Sequence, residues 1–198
     1  MTNQPPSQAA PEGALDADQL GRLQQANQLL AGGKPGDAAP LFAQLAAQME
    51  ASSHPRRAAN LHARAAHAYA DNQQGQAALG QARSALNLFI SNRMALRAPT
   101  FYSNITRKLG NHGMGNAAQA LQQEYAGRLR MGAAAGRRGG WGGGQAAAGA
   151  APAAPAHGTL PTSCPKCGAP VHAQDANWVD NNTAECDYCG ALIRAEKS

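Results

Sequence analysis

Two near-identical cysteine turns close to the end of the chain constrain its fold most strongly. All four cysteines fall into two Cys-x-x-Cys pairs, separated by 18 residues, and a glycine follows each pair. Such a turn places two thiolates on one side of a tight loop, which is half of a tetrahedral site with Zn–S distances of ~2.3 Å. The pattern predicts one structural Zn²⁺ ion, with these ligands: Cys164, Cys167, Cys186 and Cys189.

Other uses of the cysteines were weighed against this site. A redox dithiol needs a thioredoxin-like context, which surrounds neither pair. A catalytic zinc needs an open coordination position, and four thiolates leave none. His157 or His172 could replace a cysteine, but the complete set of four makes both ordinary linker or strand residues. Since so short a segment has little core, we expect it to be unfolded without metal.

The two turns and their spacing resemble the zinc-ribbon family over residues 164–198. The residues between the turns can supply short strands that bring the turns together, at residues 169–172, around Trp178 and Val179, and at residues 183–185, with Leu192 and Ile193 extending a strand after the second turn. Trp178 is interpreted as the small hydrophobic core of this ribbon. The alternative is a surface residue that stacks on a base or a peptide.

Ahead of the ribbon, the sequence carries a repeat. Alanine-rich amphipathic stretches alternate with breaks at residues 32–36, 71–75 and 110–115, and the glycines at 36, 75 and 115 recur at intervals of 39 and 40. Each break has apolar or small residues at helical spacing on both sides. A period of this size is typical of stacked units. The unit predicted here is a helical hairpin, present three times.

The hairpins resemble the tetratricopeptide repeat family. Ala66 and Ala78 fit its pair of small residues, and Tyr69 and Ala85 stand at two further positions, whereas Asn27 replaces the usual small residue. The resemblance implies a groove, lined by the first helix of each hairpin, that binds a protein or peptide partner; we call this surface the repeat groove. Its candidate partner-binding residues are Gln24, Gln28, Asn60, Arg64, His67, Asn104 and Arg107.

Capping residues and prolines indicate where helices begin. Ser53 can cap a helix with Pro55 in its first turn, and Asp37 can cap the helix that carries Pro40. The whole chain is therefore predicted to be mainly α. Its parts are a disordered lead-in over residues 1–14, three stacked hairpins over 15–131, a flexible Gly/Ala/Pro linker over 132–163 and a small β zinc ribbon over 164–198.

Charge and motif content limit the function. The formal net charge is +5, of which residues 1–131 carry +5, residues 132–163 carry +2 and residues 164–198 carry −2. We expect a non-enzymatic, cytoplasmic interaction adaptor that has no membrane span and is capable of self-association. The alternative is a nucleic-acid-binding protein that uses the ribbon and the basic segment 137–141, although the acidic ribbon lacks a basic stripe. No catalytic grouping or phosphate-binding loop is readable.

Overall fold

The computed structural model describes residues 15–92, 94, 97–137, 158–173 and 176–195. The predicted lead-in, His157 and residues 138–157 of the predicted linker lie outside these ranges. The helices are α1 (Ala17–Ala31), α2 (Pro35–Ala51), α3 (Pro55–Asp71), α4 (Gly75–Ser91), α5 (Arg97–Asn111) and α6 (Gly115–Arg137). The strands are β1 (Asn177–Asp180), β2 (Thr183–Glu185) and β3 (Leu192–Arg194). The predicted class, mainly α with a small C-terminal sheet, is confirmed.

Each hairpin turn closes with the same pair of backbone hydrogen bonds. After α1, the Gly33 amide donates to Leu30 (3.1 Å) and the Lys34 amide donates to Leu29 (2.8 Å). The turns after α3 and α5 repeat this pattern with Gln73 to Ala70, Gln74 to Tyr69, Gly113 to Gly110 and Met114 to Leu109. The middle residue is left-handed in all three turns: Gly33 (φ 70°), Gln73 (φ 57°) and Gly113 (φ 75°). The repeat in the sequence is therefore a repeat in the structure.

Neither of the two predicted helix caps is used. Helix α2 begins at Pro35 and α3 at Pro55, and in neither does a side chain cap the first turn. Asp37 lies inside the first turn of α2, and Ser53 takes a left-handed conformation (φ 60°) in the preceding turn. Both predicted caps are wrong. Proline at the first helical position has a φ already suited to the helix and lacks an N–H that would otherwise stay unpaired, so each helix begins there without a side-chain cap.

The buried apolar residues form two clusters that meet at α3. The second helical half, from α3 to α6, buries Ala66 against the cluster that contains Ala78, Phe89 and Tyr125. The first half, from α1 to α3, shares its cluster with the C-terminal sheet, so that Phe42 and Ile193 belong to one core. Alanine on both sides of α3 lets its neighbours approach closely. The sheet is thus packed onto the helical repeats.

The C-terminal sheet is antiparallel, with the strand order β1-β2-β3. Trp178 pairs with Ala184, and Ala184 pairs with Ile193, while the register of β1 shifts between Trp178 and Asp180. Trp178 is half-buried against the shared core, and its indole donates to the Ala173 carbonyl at 3.4 Å. Trp178 therefore packs at the edge of the core, which is formed by residues such as Ala184 and Ile193. The strand predicted at residues 169–172 is wrong, because Pro170 forms only an isolated bridge with Ser163.

The described structure extends past both predicted ends of the linker. Helix α6 continues to Arg137, beyond the boundary predicted at 131, because the alanines that follow Gly132 are strong helix formers. On the other side, Leu160 is buried, and the Gly158 amide donates to Asn181 at 3.4 Å. We therefore use "ribbon" below for residues 158–173 and 176–195. No helix in the described ranges is long and apolar enough to cross a membrane.

Candidate metal centre

The first and second knuckles, residues 164–168 and 186–190, have the same local geometry. The Cys164 amide donates to the carbonyl of Ala169 and the Gly168 amide to that of Cys164, both at 2.8 Å. In the second knuckle the equivalent bonds are Cys186 to Ala191 (2.8 Å) and Gly190 to Cys186 (2.9 Å). Both glycines have φ 73°, which L side chains rarely adopt. Two copies of one turn therefore face each other.

The two knuckles bring four sulfur atoms into one buried cluster. All four Sγ atoms lie within 4.8 Å of one another, and Cys164–Cys189 and Cys167–Cys186 are each 3.8 Å apart. A tetrahedral site with metal–sulfur distances of ~2.3 Å has edges of about 3.8 Å, whereas a disulfide bond is about 2.05 Å. The cysteines are free and at most 3% exposed. This cluster could hold a metal ion.

The crowded sulfurs perturb one another's protonation. Hydrogen bonds from neighbouring thiols, chiefly Cys167, lower the pKa of Cys164. The Cys167 thiol donates a hydrogen bond to Cys164, and this bond, together with burial, raises the pKa of Cys167. Four buried thiolates repel one another, so all four can be ionised together only around a cation. His172 is exposed and is not part of the cluster.

The first knuckle docks on α1 through neutral amide side chains. Gln24 Nε2 donates to the carbonyl of Lys166, and Asn27 Nδ2 donates to that of Cys167, each at 2.6 Å. Asn27 is only 8% exposed, and its Cβ lies within van der Waals reach of Gly168. These bonds satisfy backbone carbonyls that the tight turn leaves without an internal partner.

The second knuckle docks on α3 and α5 through ion pairs. Arg57 binds Glu185, and Arg97 binds Asp187, both at 2.7 Å. Asn60 links the two helices to the ribbon, because its Oδ1 accepts from Arg97 (3.1 Å) and its Nδ2 donates to the Asp187 carbonyl (3.4 Å). The Arg57 side chain is 9% exposed and lies directly against Gly190. The ribbon's acidic residues thus face arginines of the repeats.

The structure places the predicted partner-binding residues in three settings. Gln24 and Asn60 donate to the ribbon, and Arg64 stacks on its Tyr188 at 5.4 Å. The next three line open cavities beside the ribbon: His67, Asn104 and Arg107. Gln28 is exposed. Much of the surface predicted as the repeat groove is therefore covered by the chain's own ribbon.

His67, one of the predicted groove residues, has a lowered pKa. Burial, assisted by the charge of Lys108, lowers its pKa to about 4. Its ring packs edge-on against Phe101 at a centroid distance of 5.5 Å. His67 is consequently neutral at pH 7, where it can accept or donate one hydrogen bond without carrying charge.

Sequence reasoning missed three docking residues: Asn27, Arg57 and Arg97. For one of them, the sequence contained a signal. Asn27 occupies a helix position where a small residue is usual, and the larger amide there reaches the first knuckle. Arg57 and Arg97 gave no such signal, since their partners lie 128 and 90 residues away in sequence.

Comparison with protein-family models, curated proteins and solved structures finds no match to this chain.

Proposed function

We propose that the cysteine cluster holds one structural Zn²⁺ ion. The observation that carries this is the set of four buried sulfurs, all within 4.8 Å of one another and with two pairs at 3.8 Å, which suits a closed four-thiolate site. Thiolate ligands favour zinc over magnesium or calcium, which prefer oxygen. When bound, the ion neutralises the thiolates and joins the knuckles; with no open position, it does not activate water.

Native mass spectrometry of the full-length protein tests the metal. We expect one zinc ion per chain, lost together with the ribbon's folded signature when a chelator is added. Replacing Cys186 by Ser should abolish stoichiometric zinc, while Ser163→Ala, an exposed neighbour of Cys164, should retain it. A different metal, or a zinc-free protein with two disulfides, would overturn the proposal.

We further propose that the chain is a non-enzymatic interaction adaptor that binds a protein or peptide in the part of the repeat groove beside the ribbon. Support comes from the contacts between this surface and the chain's own ribbon. Amide side chains of α1 and α3 donate to backbone carbonyls in the two tight turns of the ribbon. The same chemistry serves any exposed polypeptide segment. Asn104 and Arg107 are exposed on α5, and Asn104 shares a cavity with ribbon residues.

Capture experiments with the zinc-loaded full-length protein test the adaptor function. A partner that uses the open groove should be retained by the wild type and lost from the double variant Asn104→Ala, Arg107→Ala. Arg83→Ala is the matched control, since Arg83 is similarly exposed but pairs with Glu124 at 2.8 Å. Equal capture by all three proteins would contradict a groove partner. Salt-sensitive retention on a polyanion would instead favour the nucleic-acid alternative.

A further inference from the structure

A cavity lies at the junction of α3, α5 and the ribbon. Its volume is about 300 Å³. Phe89 and Phe101 line it from the repeats, and Pro170 and Val171 line it from the ribbon. It therefore exists only in the docked arrangement and has room for a small group with an apolar body.

Arg64, which lines this cavity, is held between aromatic rings. Its guanidinium is stacked over Phe42 at 4.9 Å and over Tyr188 at 5.4 Å, and its Nε is buried with no hydrogen-bond partner. Among the described residues, no ion pair involves Arg64. Aromatic faces stabilise a cation weakly, so a half-buried guanidinium of this kind still lacks its strongest partner, an anion.

The two carboxylates that also line the cavity are already engaged. Asp187 pairs with Arg97 and Glu185 with Arg57, each at 2.7 Å. Their presence does set the charge of an acceptable ligand. A dianionic phosphate would meet two negative groups, whereas a single carboxylate can bind Arg64 with less repulsion.

Neutral donors surround the same space. His67 is held edge-on to Phe101. Asn104 uses its Oδ1 to accept from Arg107 at 3.2 Å, which leaves its amide hydrogens for a ligand. Asn60, in contrast, is occupied on both sides of its amide, by Arg97 and by the Asp187 carbonyl. A carboxylate has four lone-pair sites, so Arg64 and neutral donors can share them.

We propose that this cavity is a carboxylate-binding site with Arg64 as its counter-charge, and that it receives a carboxylate of the peptide partner. The carboxylate is a C-terminus or an Asp or Glu side chain. The peptide part of this inference rests on the adaptor function proposed above; the site itself does not.

Propionate is the probe for the site. In the zinc-loaded full-length protein, the Arg64 Nε–H resonance should shift saturably with propionate, with a dissociation constant on the order of 10 mM. An equal concentration of chloride should leave it unmoved. A shift that does not saturate, or that chloride reproduces, would overturn the site.

Substitution of Arg64 tests whether this residue is the counter-charge of the site. Arg64→Met keeps an apolar stem between the two rings and should weaken propionate binding, followed on cavity-lining amides, by about 10- to 100-fold. Arg128→Met is the matched control, because Arg128 also stacks on a tyrosine, Tyr125 at 5.1 Å, but on α6. Equal binding by both variants contradicts the proposal. If Arg64→Met loses zinc, the titration of the wild type decides.

Peptides then separate the two carboxylate sources and the two proposals. A peptide with a free C-terminus should outcompete its amidated twin if the terminus binds, and an internal Glu peptide should outcompete its Gln twin if a side chain binds. Propionate binding without any captured partner would retain the site and reject the adaptor. If a partner is captured equally well by Arg64→Met and propionate does not bind, the adaptor is retained and the site is rejected.

Discussion

The first and second knuckles are nearly the same turn, yet they dock on the repeats by different chemistry. Within each knuckle, the hydrogen bonds and the glycine φ of 73° agree closely. In their contacts with the repeats the two knuckles differ. The first knuckle accepts hydrogen bonds from neutral amides of α1, whereas the second knuckle and the residue before it pair with Arg57 and Arg97. Local sequence therefore determines the geometry of the cysteine cluster, and the surrounding helices determine how the ribbon is held.

Cysteine substitutions should have the largest effect and should not distinguish the knuckles. We expect Cys164→Ser and Cys186→Ser each to abolish the zinc-linked folding free energy, about 10–16 kcal/mol for small structural sites. Zinc stoichiometry and the dispersion of ribbon amide resonances measure this outcome. A variant that kept tight stoichiometric zinc would show that its knuckle is dispensable, contrary to a shared site.

Glycine substitutions should separate the knuckles. Gly168→Ala should lower the free energy of unfolding by about 1–2 kcal/mol, the strain of alanine in a left-handed conformation, because its new Cβ meets nothing closer than Asn27 at 3.8 Å. Gly190→Ala bears the same strain, and its Cβ also overlaps the Arg57 guanidinium. Displacing Arg57 should add about 1–3 kcal/mol. Denaturant unfolding of the zinc-loaded proteins measures both, and equal losses would contradict the docked position of Arg57.

Docking residues should show unequal coupling. Asn27→Ala leaves the Cys167 carbonyl buried without its donor, which should cost about 1–3 kcal/mol. Arg57→Met should cost less, about 0.5–1.5 kcal/mol, since Glu185 is 35% exposed and still accepts from Asn177 at 3.1 Å, and Glu185→Gln in the same protein should recover part of that loss. A double-mutant cycle on zinc-loaded protein measures the coupling. Full additivity of the Arg57 and Glu185 changes would contradict their ion pair.

Salt should produce the smallest difference. Raising NaCl from about 0.05 to 0.5 M shortens the screening length to a few ångströms and should weaken the docking of the second knuckle by up to about 1 kcal/mol. Chemical shifts of Asp187 and Glu185 should respond more than those of Lys166 and Gly168. An equal response at the two knuckles would indicate that the arginine pairs contribute little.

Sequence reasoning succeeded where structure is local and periodic. The glycine-marked breaks predicted the hairpin turns, and the cysteine spacing predicted the cluster, because each depends on residues close in sequence. The predicted caps at Ser53 and Asp37 failed because Pro35 and Pro55 start their helices without side-chain capping. Docking of the ribbon could not be predicted, since Arg57 and Glu185 are 128 residues apart in sequence and neither residue marks the other as its partner.

Hydrogen–deuterium exchange of the full-length protein, with zinc and after chelation, tests most directly whether a metal-held ribbon is docked on the repeats. Chelation should raise exchange throughout the ribbon and also in α1 and the first turns of α3, where Asn27 and Arg57 contact it, and should change α6 least. Deprotection confined to the ribbon would contradict docking. Unchanged exchange in the ribbon itself would contradict the metal site.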